Sequence, residues 1–332
     1  MSKNEETYEE TLQKEFEMSQ SKDDGVVKDL GRVRDVTGSG TQREYIDNDD
    51  MDRINDLVGF RNIPLTDLPS QGRYYPDNTK ITIRAARADE IHEFSSINEE
   101  DASDVIDKMT YRVSKCVKIY YGNVLGHYKD LINADRIVLI LKIRELTFKE
   151  GLKGIKIPVP SDACSTSGCK PQDFIEFTSG MLTFYKPAPE LEKYYDPENK
   201  CYNIQTKSYG TITLYIPTIG VTQAISSWIN YKYEHKEKFT ETLANMMPFV
   251  IKDWRGLNDR VIFNTMTEMS GWSAEHFSLV YRLIEKITVG IEFEIKAKCA
   301  SCGGELTVPL TFPDGYRSLL VPTVSDFGDE LL

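Results

Sequence analysis

Four of the six cysteines fall in two short pairs, Cys164-Ser-Thr-Ser-Gly-Cys169 and Cys299-Ala-Ser-Cys302-Gly303-Gly304, and each pair follows a helix-like and then a strand-like stretch. Thiolates two to four residues apart on a tight, glycine-supported turn can face one metal ion, and two such turns supply the four sulfurs that tetrahedral zinc prefers. The second pair has the form of a zinc knuckle, with strand-like residues 291–296 before it and 306–311 after it. The first has a wider spacing and is crowded by Pro158, Pro160 and Pro171. The expectation is one structural zinc held by Cys164, Cys169, Cys299 and Cys302. Two other states remain open, reduced and partly buried thiols or a disulfide. Isolated Cys116 and Cys201 and the lack of a secretory signal weigh against the disulfide. A catalytic zinc would keep an open position beside histidine or carboxylate ligands. The four histidines, His92, His127, His235 and His276, are scattered, and none stands at ligand spacing from another or from a cysteine pair.

The 332 residues are 40% hydrophobic, enough to bury a core in one large or two smaller domains. A net charge of −12 argues against nucleic acid and against anionic membranes as partners. The longest apolar run, Ile137 to Leu141, is far too short to span a bilayer. The opening Met-Ser-Lys-Asn-Glu-Glu has no apolar signal core, so a cytoplasmic protein is expected.

Residues 1–53 carry 15 acidic and 8 basic residues, more than half of the net charge, and read as a largely flexible extension. Within it Tyr8, Leu12 and Phe16 recur every four residues, a helical stripe suited to docking on a partner or on the chain's own body; a solvated charged helix is the alternative. The body divides into a β element and helical unit at 54–153, a first cysteine pair with a strand-rich segment at 154–219, and a helical unit with the C-terminal knuckle at 220–332. Helices are expected over 88–97, from an Asn98 cap to about Tyr121, from an Asn133 cap to about Phe148, and over about 221–235, 238–247, 257–269 and 273–288. Strands are expected over 81–83, 154–159, 173–185 and 202–216, the last two forming a hairpin or small sheet. The fold class is therefore α+β, mainly helical, with small β hairpins and a zinc-ribbon-like β cluster joining residues 155–184 to 290–311.

The segments 134–147 and 274–287 align without gaps, and each leads through a strand into a cysteine pair. An internal duplication explains this; the general likeness of amphipathic helices is the competing reading. No nucleophile elbow, metalloprotease helix, phosphate loop or dinucleotide fingerprint occurs, which leaves binding or assembly as the default over an enzyme.

Leu68-Pro-Ser-Gln-Gly-Arg-Tyr-Tyr-Pro76, followed by Ile81 to Arg84 and Asp89-Glu90, resembles the opening of the small baseplate hub proteins of T-even-like contractile-tailed phages. The block from Ala134 to Arg144 is similar to the middle of that family, and Cys299 to Gly303 with Phe312-Pro-Asp-Gly-Tyr316 to its end. These segments frame residues 60–322. Ala85 after Arg84, the wide first cysteine pair, the acidic extension and the strand-rich insert depart from the pattern. The resemblance implies a non-enzymatic protein of tail morphogenesis, a hub component or an assembly factor for the hub or tape-measure protein. Its partners would be other tail or baseplate proteins, and its places the host cytoplasm and the virion baseplate. The alternative is a zinc-ribbon adaptor that binds host or phage proteins.

Overall fold

The computed structural model describes residues 59–312 and 315–320, all within one compact unit, Ile46–Leu332. The extension and its stripe of Tyr8, Leu12 and Phe16 lie outside the described residues. Among the described residues, helices mix with five small sheets, and every strand pairing is antiparallel. The α+β expectation therefore holds. The three body segments read from sequence share one continuous hydrophobic core.

The N-terminal sheet has the order β1 (Arg61–Ile63), β2 (Thr79–Ile83), β3 (Val117–Tyr121) and β4 (Val124–Leu125). Two helices separate β2 from β3. In α1 (Ala88–Ser95) the Glu90 carboxylate accepts the Arg87 N–H at the helix start. In α2 (Ala102–Cys116) the cap is Asp101, which accepts from the N–H groups of Ser103 and Asp104. The sequence placed that cap at Asn98 and ran the helix to Tyr121. Asn98 instead accepts the Glu100 N–H in a local turn one step earlier. The helix stops at Cys116 because Val-Lys-Ile-Tyr-Tyr is β-branched and aromatic with period two. Val117 and Ile119 face Ile83 and Ile81 across the ladder.

Helix α3 (Arg136–Thr147) enters through a 3-10 turn, Asn133–Asp135, so Asn133 does not cap it. Asp135 is fully buried. It accepts from the Ser70 N–H at 2.8 Å, the Ser70 hydroxyl at 2.7 Å and the Tyr75 hydroxyl at 2.7 Å, while Tyr75 accepts the Ile132 N–H at 3.0 Å. Burial pushes its carboxyl up to about 6 against those hydrogen bonds, which favour the charged form. At the other end of α3, buried Arg144 donates to the Gly151 and Ser318 carbonyls, tying the helix to the C-terminal 3-10 turn Gly315–Leu319.

Beyond the first cysteine loop, the hairpin of β9 (Cys201–Thr206) and β10 (Gly210–Tyr215) matches the expected 202–216 strand region. The expected 173–185 strand does not join it. It breaks into β6 (Phe174–Glu176), a 3-10 turn and β7 (Phe184–Tyr185), which pair with β5 (Lys156–Pro158) and β11 (Gly290–Ile291) respectively. β8 (Tyr195–Asp196) edges the β9–β10 sheet. Helices α4 (Ile219–Glu234), α5 (Glu241–Val250), α6 (Asp259–Ser270) and α7 (Ala274–Ile287) follow, close to the expected spans, and β12 (Glu294–Lys298) pairs with β13 (Glu305–Pro309). Among the described residues, no helix is long and apolar enough to cross a membrane.

One buried ionic cluster joins the first sheet to α1 and α2. Arg84 grips Glu90 with two bonds of 2.9 and 2.6 Å, fully buried Arg112 lies 3.4 Å from the same carboxylate, and the Cys116 thiol is 3.3 Å away. Burial opposes ionisation of Glu90, but the Arg84 bonds and the Arg87 N–H hold its carboxyl down at about 2. A pKa below the free value of 4.5 stabilises the fold fully above that pH, and the contribution is lost as pH falls toward 2. Glu90→Gln leaves two buried guanidinium groups without their counter-charge and should cost about 3–5 kcal/mol at neutral pH. Urea melts across the acid range should show the gap between variant and wild type shrinking from pH 4.5 downward; a constant gap would contradict this account.

Candidate metal centre

The cysteine loops are built by their flanking strands. In β12 and β13, Ile295, Leu306 and Val308 point into the core, while Glu294, Lys296, Lys298, Glu305 and Thr307 face out, the alternation of a half-buried hairpin. Lys298 pairs with Glu305, so residues 299–304 must close the turn. The Cys299 N–H donates to the Gly304 carbonyl and the Gly303 N–H to the Cys299 carbonyl, both at 2.8 Å. Gly303 sits at φ +73°, a left-handed conformation open to glycine. The first pair occupies the corresponding place between β5 and β6, where Ile157 faces Ile175. Each pair therefore sits in the loop of a two-stranded hairpin, and each hairpin follows a long helix. The two segments whose sequences align share this order of helix, hairpin and cysteine loop.

Main-chain bonds dock one loop on the other. Ser165 N–H donates to the Glu305 carbonyl at 2.9 Å, Thr307 N–H to the Ala163 carbonyl at 3.2 Å, and Cys164 bridges to Leu306, so residues 163–165 run along the free edge of β13. Side chains reinforce the contact. The Glu305 N–H donates to Ser165 Oγ and the Ala300 N–H to Gln172 Oε1. Ser165 and Thr166 lie in the polar spacer of the wide Cys-x4-Cys pair, their one signal in the sequence, and Gln172 lies just beyond it with no signal of its own.

The result is one cluster of four sulfurs. Cys164 Sγ lies 3.5 Å from Cys302 Sγ, Cys169 Sγ lies 3.7 Å from Cys299 Sγ, and all four lie within 4.8 Å of one another. A disulfide requires about 2.05 Å, so none of these contacts is one. A regular tetrahedron with ligand bonds of about 2.3 Å has sulfur–sulfur edges of about 3.8 Å, so the residues fit a four-thiolate metal site. Cys299 is buried, Cys164 and Cys169 are half-buried, and Cys302 is exposed.

Polar neighbours favour the thiolate form of two of the thiols, Cys302 and Cys299. The Thr166 hydroxyl and the Gly304 N–H draw Cys302 down to about 6. Burial opposes the same effect at Cys299, but the N–H groups of Cys302 and Ser301 lower it. Cys169 is pushed up, first by the neighbouring Cys302 sulfur. By contrast, burial carries the isolated Cys116 thiol up to about 12, as befits a packed structural residue.

No known family, curated protein or solved structure matches this chain.

The cluster leaves no room at Gly304, where a Cβ would meet Thr166 Oγ1 at 2.6 Å and Cys302 Sγ at 3.2 Å. Gly304→Ala should destabilise by about 1–3 kcal/mol, read as a fall in Tm of several degrees. Gly303→Asn should be nearly neutral, because asparagine tolerates the left-handed backbone and nothing lies within 4 Å of its Cβ. Equal losses at both positions would contradict this picture of the clasp.

Proposed function

We propose that the four cysteines hold a structural zinc ion in a zinc-ribbon-like clasp, and that the chain is a non-enzymatic protein of phage tail morphogenesis. The observation that carries the metal reading is the closed set of four sulfurs at tetrahedral spacing, contributed by two loops whose main chains already dock. Zinc would supply a cross-link there rather than a reaction centre, since a site with four protein thiolates has no open position for substrate. Metal binding free energy then becomes folding free energy.

The tail reading rests on the resemblance and gains support from how its segments meet. Ser70 and Tyr75 of the Leu68–Pro76 segment grip Asp135 of the 134–144 block, and Arg144 of that block reaches the C-terminal turn. The segments that resemble the hub family thus belong to one physical unit. A surface for protein partners is compatible with the half-exposed Phe174 and Phe293, on and beside the strands that flank the cysteine loops. The acidity of the chain disfavours nucleic acid. Tyr8, Leu12 and Phe16 would add a further contact for a tail or baseplate protein, the tape-measure protein among the candidates.

Two measurements test these readings separately. Elemental analysis of the purified chain should give one zinc per chain, and Cys299→Ser should lower zinc content and Tm together. Full zinc in the Cys164→Ser, Cys169→Ser double variant would remove the first pair from the site. Mass spectrometry of purified particles should find the chain in virions if it is a hub component, or only in lysates with immature tails if it is an assembly factor. Its recovery on host proteins without any tail intermediate would favour the adaptor instead.

A further inference from the structure

The N-terminal sheet has two faces of different character. On one, Ile81 and Ile83 of β2 stand beside Ile119 and Val117 of β3 and enter the common core. The period of two sends the alternate residues to the other face. There Asn62, Thr82 and Lys118 form one row across β1, β2 and β3, and Lys80, Tyr120 and Leu125 form a second across β2, β3 and β4. Phe60 extends this face just before β1, with the Lys118 ammonium 4.5 Å from its ring centre. Phe60 and Tyr120 are only 4% and 6% exposed, yet neither belongs to the common core. Aromatic side chains buried outside the core need a second layer of their own.

The adjoining chain has the composition for that layer. Residues 46–58, Ile-Asp-Asn-Asp-Asp-Met-Asp-Arg-Ile-Asn-Asp-Leu-Val, hold five aspartates against one arginine and lead through Gly59 into Phe60. Met51, Ile54 and Val58 recur at helical spacing, with Leu57 beside them and Asp47 and Asp50 along the same side. Asp49, Asp50 and Asp52 suit the first turn of a helix. Gly59 takes φ +78°, the left-handed conformation that closes a helix at its C-terminal end. Charge agrees with shape, because the two rows of the face carry the half-buried Lys80 and Lys118 and no acid. Reach agrees as well. Tyr120 on β3 stands two strand spacings, about 10 Å, from β1, and a helix of ten residues is about 15 Å long.

We propose that this face of the N-terminal sheet is a docking site for an acidic amphipathic helix, and that the chain's own residues 46–58 supply it. Met51, Ile54 and Val58 would cover Phe60 and Tyr120, while Asp47 and Asp50 would meet Lys80 and Lys118. The contact depends on neither the cysteine clasp nor the tail reading.

The test uses the full-length chain. Carbodiimide activation, which joins a carboxylate to a lysine in contact with it, should link Lys80 or Lys118 to Asp47 or Asp50. In a mixture of unlabelled and isotope-labelled chains, both halves of each linked peptide should come from one chain. An arginine-specific protease reads the same contact, because Arg53 is the one arginine between Arg43 and Arg61. Lys80→Glu with Lys118→Glu should speed cleavage after Arg53 about tenfold, the worth of two half-buried ion pairs, with the circular dichroism spectrum unchanged. Adding Asp47→Lys and Asp50→Lys to that variant should restore slow cleavage, which repair of a merely damaged sheet would not achieve. Links formed only between different chains would assign the face to a second copy and overturn the proposal. So would linked peptides that never include residues 46–58, or cleavage after Arg53 at one rate in wild type and double variant. Cross-linking of the wild type decides by itself if the double variant misfolds.

Discussion

Closure of two distant loops on one another is the constraint from which most of this fold follows. Cys169 and Cys299 stand 130 residues apart, yet their sulfurs lie 3.7 Å from each other. Closing a loop of that length costs on the order of 4–5 kcal/mol of chain entropy before any contact returns it. The return comes in two parts. Ile157, Ile175, Ile295, Leu306 and Val308 bury the inner faces of the two hairpins in the common core, and residues 163–165 satisfy the edge of β13 through the main chain. The chain between the loops must therefore leave the first hairpin and return to the second. The β9–β10 hairpin and helices α4 to α7 fill that circuit.

A second tie fixes the N-terminal half. Asp135 takes three hydrogen bonds from a turn sixty to sixty-five residues earlier, and Arg144, nine residues further on, holds the C-terminal turn. The helix between them is buried at most positions, so its placement depends on its ends. This explains why a hydrophobic block such as Ile-Val-Leu-Ile-Leu carries an acid at one end and a base at the other. Both charged groups are buried and both are spent on partners far away in sequence.

The sequence revealed most where its signal was chemical or strongly periodic. The two cysteine pairs, the helix expected over 273–288, and the alternating strands around Cys299 to Cys302 are found close to where they were expected. The failures share a cause, which is that tertiary pairing decides what a short segment becomes. Residues 117–121 continue a helical pattern from Val105 to Val113, but the ladder with β2 claims them. Phe174 to Tyr185 reads as one strand because it is rich in aromatic and aliphatic residues, yet it is divided between two partners, β5 shortly before it and β11 more than a hundred residues after it. Asn98 and Asp101 are both good caps, and only the helix geometry selects the second.

The central claim is that four sulfurs from two separate loops share one metal. X-ray absorption at the zinc edge of the full-length, zinc-loaded chain measures this directly. The account predicts a shell of four sulfurs at about 2.3 Å and no nitrogen or oxygen neighbour. A shell of two sulfurs with two lighter atoms would show that the Cys299–Cys302 knuckle binds alone, and that the approach of the Cys164–Cys169 loop is packing without coordination.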